Sequence, residues 1–135
     1  MKDYGDKIRY VFHDYALPFH ANAKNAAMAS RCAADQDKYW EYHENLFVKQ
    51  TDWSEIAVDK INDKFTSYAT ELGLKTADFK TCVDSKKHEK AVDDDMALGQ
   101  KVGVQGTPSF FINGQMLVGA QPYSAFKTII DEALK

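Results

Sequence analysis

Two short apolar runs, Ser109-Phe110-Phe111-Ile112 and Gln115-Met116-Leu117-Val118-Gly119, meet at Asn113-Gly114. Asparagine and glycine accept the positive φ that a two-residue hairpin turn demands, so this stretch commits the chain to an antiparallel β-hairpin. Immediately before it stands Gly106-Thr107-Pro108. Proline has no N–H to give to a ladder, so Pro108 belongs at a sheet edge or at the first position of its strand. Its peptide bond can be cis or trans, which the sequence does not decide. Taken alone, the turn need only join a helix to the hairpin. Ala120-Gln121-Pro122 then turns the chain, with Pro122 suited to the first turn of a closing helix whose apolar stripe is Tyr123, Phe126, Ile129, Ile130 and Leu134.

Upstream, Lys7 to Tyr15 alternates as a strand does. Ile8, Tyr10 and Phe12 lie on one face, and Val11 on the other implies partial burial on both sides. Leu17-Pro18 ends it. The period then changes. Asn22 is a fair N-cap for the alanine-rich run Ala23–Ala34, whose small residues Ala23, Ala27, Ser30 and Ala34 suggest a closely packed helix pair. Tyr39, Trp40, Tyr42, His43, Leu46 and Phe47 form a broad aromatic stripe on a second helix, read as core packing. Trp53, Ile56 and Ala57 suggest a turn or short helix. Ile61, Phe65, Tyr68, Ala69 and Leu72 recur at three- and four-residue spacing up to Gly73, a suitable C-cap. Thr76 can start the next helix as its cap, with Phe79, Cys82 and Val83 on its apolar face. A further helix is expected from about Lys86 to Lys101, with Asp93, Asp94 and Asp95 on a solvated face and Gly103 beyond its end. Strand, helices, hairpin and helix make one mixed α/β domain.

A chain of 135 residues, 44% hydrophobic and 13% aromatic, can bury a core. Its 17 basic and 20 acidic side chains leave a net charge of −3 and no basic stripe, so no nucleic-acid partner is expected. No run approaches the roughly 18 apolar residues that a membrane span needs. The opening Met1-Lys2-Asp3-Tyr4-Gly5-Asp6-Lys7 is polar and is followed by no apolar signal region. That leaves either a cytoplasmic protein or a mature fragment or excised domain, and the compartment open.

Familiar catalytic sets are missing: no phosphate-binding glycine loop, no His-Glu-x-x-His and no Gly-x-Ser-x-Gly occurs. No cofactor and no metal are expected. His13, His20, His43 and His88 are scattered without ligand spacing, which favours surface or capping roles. There is no Cys-x-x-Cys. Cys32 and Cys82 fall in separate predicted helices beside small or apolar neighbours, which leaves three readings: inert thiols, a structural disulfide or a catalytic pair. The last is disfavoured, because a fast-exchanging thiol benefits from a helix N-terminus and neither cysteine occupies one.

Several segments, in order, resemble the DsbA-like branch of the thioredoxin superfamily. Tyr4–Phe12 is similar to the strand after that family's active-site helix. Leu17-Pro18-Phe19-His20 and Ala33–His43 resemble the start and heart of its inserted helical subdomain. Val104–Gly114 resembles the loop and strand bearing its cis-proline, and Leu117–Pro122 the close of its hairpin. The likeness covers nearly the whole chain. It implies an incomplete thioredoxin-like α/β fold, with 18–102 as the helical insertion and 1–17 and 103–135 as the remnant of the core. By this resemblance Pro108 is the cis-proline and Thr107 the residue before it, both contacting an extended polypeptide substrate. Family members are often periplasmic or otherwise extracytoplasmic.

In that family the reactive Cys-x-x-Cys opens the first long helix, after a central strand. The resemblance therefore makes this chain a C-terminal portion lacking that strand and motif: a truncated or degenerate thiol–disulfide oxidoreductase, inactive in exchange by itself. The missing strand would leave a gap between residues 8–15 and 109–112. Open backbone groups there are costly, so a second copy in a homodimer or an upstream segment is expected to complete the sheet. The alternative function is non-catalytic peptide binding or homo-oligomeric scaffolding through the retained proline loop. Glutathione-linked transfer is a weaker third reading, since no holding site is visible.

Overall fold

A computed structural model describes residues 3–135. Among the described residues, nine regular elements follow a 3₁₀ turn at Gly5–Lys7: α1 Ala23–Ala34, α2 Tyr39–Val48, α3 Gln50–Trp53, α4 Ile61–Glu71, α5 Thr76–Asp84, α6 Glu89–Lys101, β1 Ser109–Ile112, β2 Gln115–Val118 and α7 Tyr123–Ala133. The fold is mixed α/β, an incomplete thioredoxin-like arrangement with extra helices and a small, unclosed sheet of two strands. Two compact units divide the chain, one holding the described residues up to His13 together with Gly99–Lys135, the other Asp14–Leu98.

The 14–98 unit is helical and owns the larger core. Small residues on α1 let α2, α4 and α5 pack against it. Its buried face is Ala26, Met28, Ala29, Ser30, Cys32 and Ala33, rotated from the stripe expected at Ala23, Ala27, Ser30 and Ala34. In an alanine-rich helix every face looks alike, and the Met28 and Cys32 positions carry the only strong bias. On α4, Ile61, Phe65, Tyr68 and Ala69 are buried, and on α5 Phe79, Cys82 and Val83, as their spacing predicts, although Lys75 and not Thr76 stands at the N-cap of α5. Gly73 follows α4 at φ +74, the left-handed position a helix stop uses. Two buried polar tips find backbone partners: the Tyr42 hydroxyl donates to Phe65 O at 2.8 Å and Trp53 Nε1 to Leu46 O at 2.8 Å.

Asn22 precedes α1, yet its side chain does not cap it. It turns inward and donates through Nδ2 to the carbonyls of Trp53, Ser54 and Ile56 at 3.2, 3.2 and 2.8 Å. The aromatic stripe of α2 divides as well. Tyr42 and Leu46 are buried, whereas Trp40 and Phe47 are exposed and meet the His43 ring edge-on and tilted, respectively. Core packing therefore explains one edge of that stripe. Helix α6 starts later than expected because Lys86 adopts φ +53 and breaks the helical path.

In the other unit, β1 and β2 pair antiparallel, Ser109 opposite Val118 and Ile112 opposite Gln115. Asn113 at φ +47 and Gly114 at φ +88 form the turn, as their identities demand. Phe110 of β1 meets Phe126 of α7 edge-on at 4.8 Å. Tyr4 is buried, and its hydroxyl donates to Asp131 Oδ1 at 2.8 Å. Among the described residues of this unit it alone is fully buried, so β1, β2 and α7 hold half-covered apolar surface. The strand expected at residues 7–15 is absent: the sheet consists of β1 and β2, and residues 8–17 take no regular secondary structure. Nor is Val11 buried; it is 51% exposed. Alternation specifies which side chains could share a face, but a strand and its burial are decided by neighbouring layers, which no local pattern encodes.

Candidate functional site

The hairpin begins at the Gly106-Thr107-Pro108 loop, where the Thr107–Pro108 peptide bond is cis. Two hydrogen bonds brace it. Ser109 Oγ donates to Gly106 O at 2.7 Å, and Gly119 N to Pro108 O at 2.9 Å. The second continues the β1–β2 register by one rung, with Pro108 supplying only the carbonyl that it can supply. Gly119 sits at φ +84, a conformation open to glycine at little cost. Thr107 and Pro108 are both exposed on this braced loop, and among the described residues no hydrogen bond occupies the backbone N–H or C=O of Thr107.

In the helical unit, Cys32 of α1 and Cys82 of α5 are joined by a disulfide with Cα atoms 5.9 Å apart. Both residues are buried, yet they line a cavity of about 360 Å³ with Asp35, Asp78 and Lys87. Asp35 lies one turn after Cys32. Its Oδ2 is 3.7 Å from the Cys82 sulfur, 2.9 Å from His88 Nε2 and 2.9 Å from Lys87 Nζ. Burial pushes the Asp35 carboxyl up, but the hydrogen bonds from Lys87 and His88 outweigh it and hold the group below the ordinary carboxylate value. The two sulfurs and a ring nitrogen of His88 fall within 4.8 Å of one another.

A second polar cluster in this unit centres on Arg31. Arg31 donates through Nε to Asp14 Oδ2 at 2.6 Å and through Nη2 to Asp95 Oδ2 at 2.6 Å, while the backbone N–H of Asp14 reaches Asp95 Oδ2 at 3.0 Å. Asp95 is thus half-buried in an ion network, in contrast to the exposed Asp93 and Asp94, and departs from the solvated face expected for all three. Successive residues of a helix are turned about 100° from one another, so a run of three cannot share one environment.

The four histidines have four different surroundings. His13 is exposed, and His20 lies against the Phe19 ring with centroids 4.6 Å apart. His43 is half-buried and stacks on Tyr39, and burial lowers its pKa, against a smaller opposing pull from Asp14. His88 alone stands beside the cysteines. Sequence reasoning passed over it because its partner Asp35 is far away along the chain. The available signal was local: Asp35 stands just past the C-terminal end of α1, about one turn after Cys32.

A family model described as Thioredoxin matches residues 1–132. The chain belongs to the thioredoxin family. Within it the protein is DsbA-like, and its 135 residues hold no Cys-x-x-Cys. Disulfide bond formation protein D of Bacillus subtilis (strain 168) is 29% identical over 139 residues, covering 99% of this chain and 61% of its own length. A Na(+)/H(+) antiporter NhaA of Herminiimonas arsenicoxydans is 33% identical over 117 residues, 87% of this chain and 17% of the antiporter. Na(+)/H(+) antiporter NhaA 1 of Mycolicibacterium vanbaalenii is 33% identical over 116 residues, 82% of this chain and again 17% of the antiporter. The thioredoxin-family chain thus spans under two thirds of each of these relatives. No helix among its described residues is long and apolar enough to cross a membrane. No solved structure matches it.

Proposed function

We propose that this chain supplies the peptide-binding portion of a DsbA-like thiol–disulfide oxidoreductase and does not itself exchange disulfides through a Cys-x-x-Cys. The observation that carries this reading is the braced but exposed proline loop. Gly106 and Pro108 are fixed through Ser109 and Gly119, while the backbone N–H and C=O of Thr107 are available to an extended polypeptide. A strand-like peptide lying along Thr107 would take both groups, the usual chemistry of β-augmentation. The half-covered hairpin and α7 agree with a sheet that gains a further strand, from a second copy of this chain or from a segment elsewhere on the same polypeptide.

The test combines binding with turnover. Fluorescence anisotropy of a labelled, unfolded, cysteine-containing peptide is expected to rise with the wild-type chain and much less with Pro108→Ala. Insulin disulfide reduction by the chain is expected at background rate. Robust turnover abolished by Cys32→Ser or Cys82→Ser would instead make that pair the reactive centre. Equal peptide binding by wild type and Pro108→Ala would remove the loop from the site. Light scattering at micromolar concentration decides the sheet partner: a dimer mass supports the second copy, a monomer the other segment.

A further inference from the structure

We propose that Cys32, Cys82, His88 and Asp35 form a redox-gated site for a zinc-class divalent metal ion, closed while the disulfide stands and formed once it is reduced. The donor set is the first ground. Two thiolates, an imidazole nitrogen and a carboxylate oxygen are the ligand types zinc takes in four-coordinate sites. Proximity is the second. The sulfurs and the His88 nitrogen lie within 4.8 Å of one another, and Asp35 Oδ2 is 2.9 Å from His88 Nε2 and 3.7 Å from the Cys82 sulfur. Tetrahedral bonds of ~2.3 Å to sulfur and ~2.0–2.1 Å to nitrogen and oxygen place ligand atoms roughly 3.3–3.8 Å apart. Shifts of the order of an ångström in side chains therefore convert one arrangement into the other.

Placement is the third ground. Cys32 lies in the last turn of α1 and Asp35 is the residue just past its C-terminal end, and Cys82 comes from α5, which packs on α1. His88 follows in the turn before α6. The packing of α1 on α5, with Ala29, Ala33, Phe79 and Val83 in one buried core, holds these positions when the sulfur–sulfur bond opens. The adjoining cavity of about 360 Å³, lined by both cysteines, gives a reductant and an ion a route to the sulfurs.

The chemistry balances with a dithiol reductant. Two electrons pass from its sulfurs into the Cys32–Cys82 bond, which breaks. The dithiol becomes a disulfide, and its two protons go to the two cysteine sulfurs. Metal binding then releases those protons to solvent and leaves two thiolates. His88 binds as neutral imidazole and Asp35 as carboxylate. In the oxidised state the sulfurs carry no anionic charge and the site does not form. Lys87, 2.9 Å from Asp35 Oδ2, competes with the metal for that oxygen.

The test reduces the full chain with a dithiol, removes the reductant without air, and titrates with cobalt(II) alone. The reduced protein is expected to bind one equivalent with a thiolate-to-cobalt charge-transfer band, which zinc(II) then abolishes, and the oxidised protein to show none. His88→Ala and Asp35→Asn should weaken binding at least about 10-fold, and Lys87→Met should tighten it. Absence of the band in the reduced chain overturns the proposal, as does unchanged affinity in His88→Ala. Far-UV circular dichroism covers the case in which reduction unfolds the helical unit: recovery of helix on adding zinc supports the site, and a chain that stays unfolded refutes it.

Discussion

Gly119 donates its N–H to the carbonyl of Pro108 at 2.9 Å, one rung beyond the last paired residues of the hairpin. That bond ties the exposed proline loop to β2, and it depends on a backbone conformation, φ +84, that side chains resist.

Gly119→Ala is therefore expected to destabilise the protein by about 1 kcal/mol. A β-carbon there would meet only Gln121 Nε2, at 3.7 Å, so the penalty is conformational and not steric. Gly119→Asn should cost less, since asparagine tolerates this region better. Urea denaturation of the three proteins gives the order.

Loss of the Cys32–Cys82 bond releases a loop whose ends are 50 residues apart. Chain-entropy reasoning puts the cost at about 4 kcal/mol, and measured losses of this kind run roughly 2–5 kcal/mol. The Cys32→Ala/Cys82→Ala protein should melt lower than wild type and be insensitive to reductant. Wild type should approach it when reduced in a metal-free buffer. Thermal melts with and without a phosphine reductant check both statements.

Arg31→Met should cost roughly 2–4 kcal/mol, since it leaves Asp14 and Asp95 facing one another without their cation. The lower part of that range reflects the partial exposure of Arg31, 26%. Arg31→Lys should recover only a fraction, because two separate guanidinium nitrogens now serve two carboxylates. Equal stability of Arg31→Met and wild type in urea would dismiss the network as a contributor.

His43 gives the fold a mild acid sensitivity. Burial lowers its folded pKa below the ordinary 6.5, so the unfolded chain takes up the proton first as pH falls. The stability present above about pH 6.5 is lost as pH falls through that value and on through the depressed one. His43→Gln should flatten the change in urea midpoint between about pH 7 and pH 5, and an unaltered slope would reject His43 as its source.

Elements with strong local chemistry were legible in the sequence. Asn113-Gly114 dictated its turn, Gly73 its helix stop, and the spacing of Ile61, Phe65 and Tyr68 their burial. Features decided by remote partners were not. Asn22 looks like a helix cap, but three carbonyls near Trp53 compete for its amide and hold it. Residues 8–17 alternate like a strand, yet regularity there depends on what lies beside them. Of the two sites, the proline loop is contiguous and could be read from resemblance. The cluster around the cysteines joins Cys32 and Asp35 from one stretch to Cys82, Lys87 and His88 from another, and no local pattern links the two stretches.

The hydrogen bond from Tyr4 to Asp131 spans 127 residues. At ribosomal speeds of about 5–20 residues per second, Tyr4 is made roughly 6–25 s before its acceptor exists. The helical unit is continuous along the chain and can mature during that interval. The unit that carries the proline loop is written in two instalments, so it takes shape after the helical unit. For those seconds its apolar residues are the ones most in need of a chaperone.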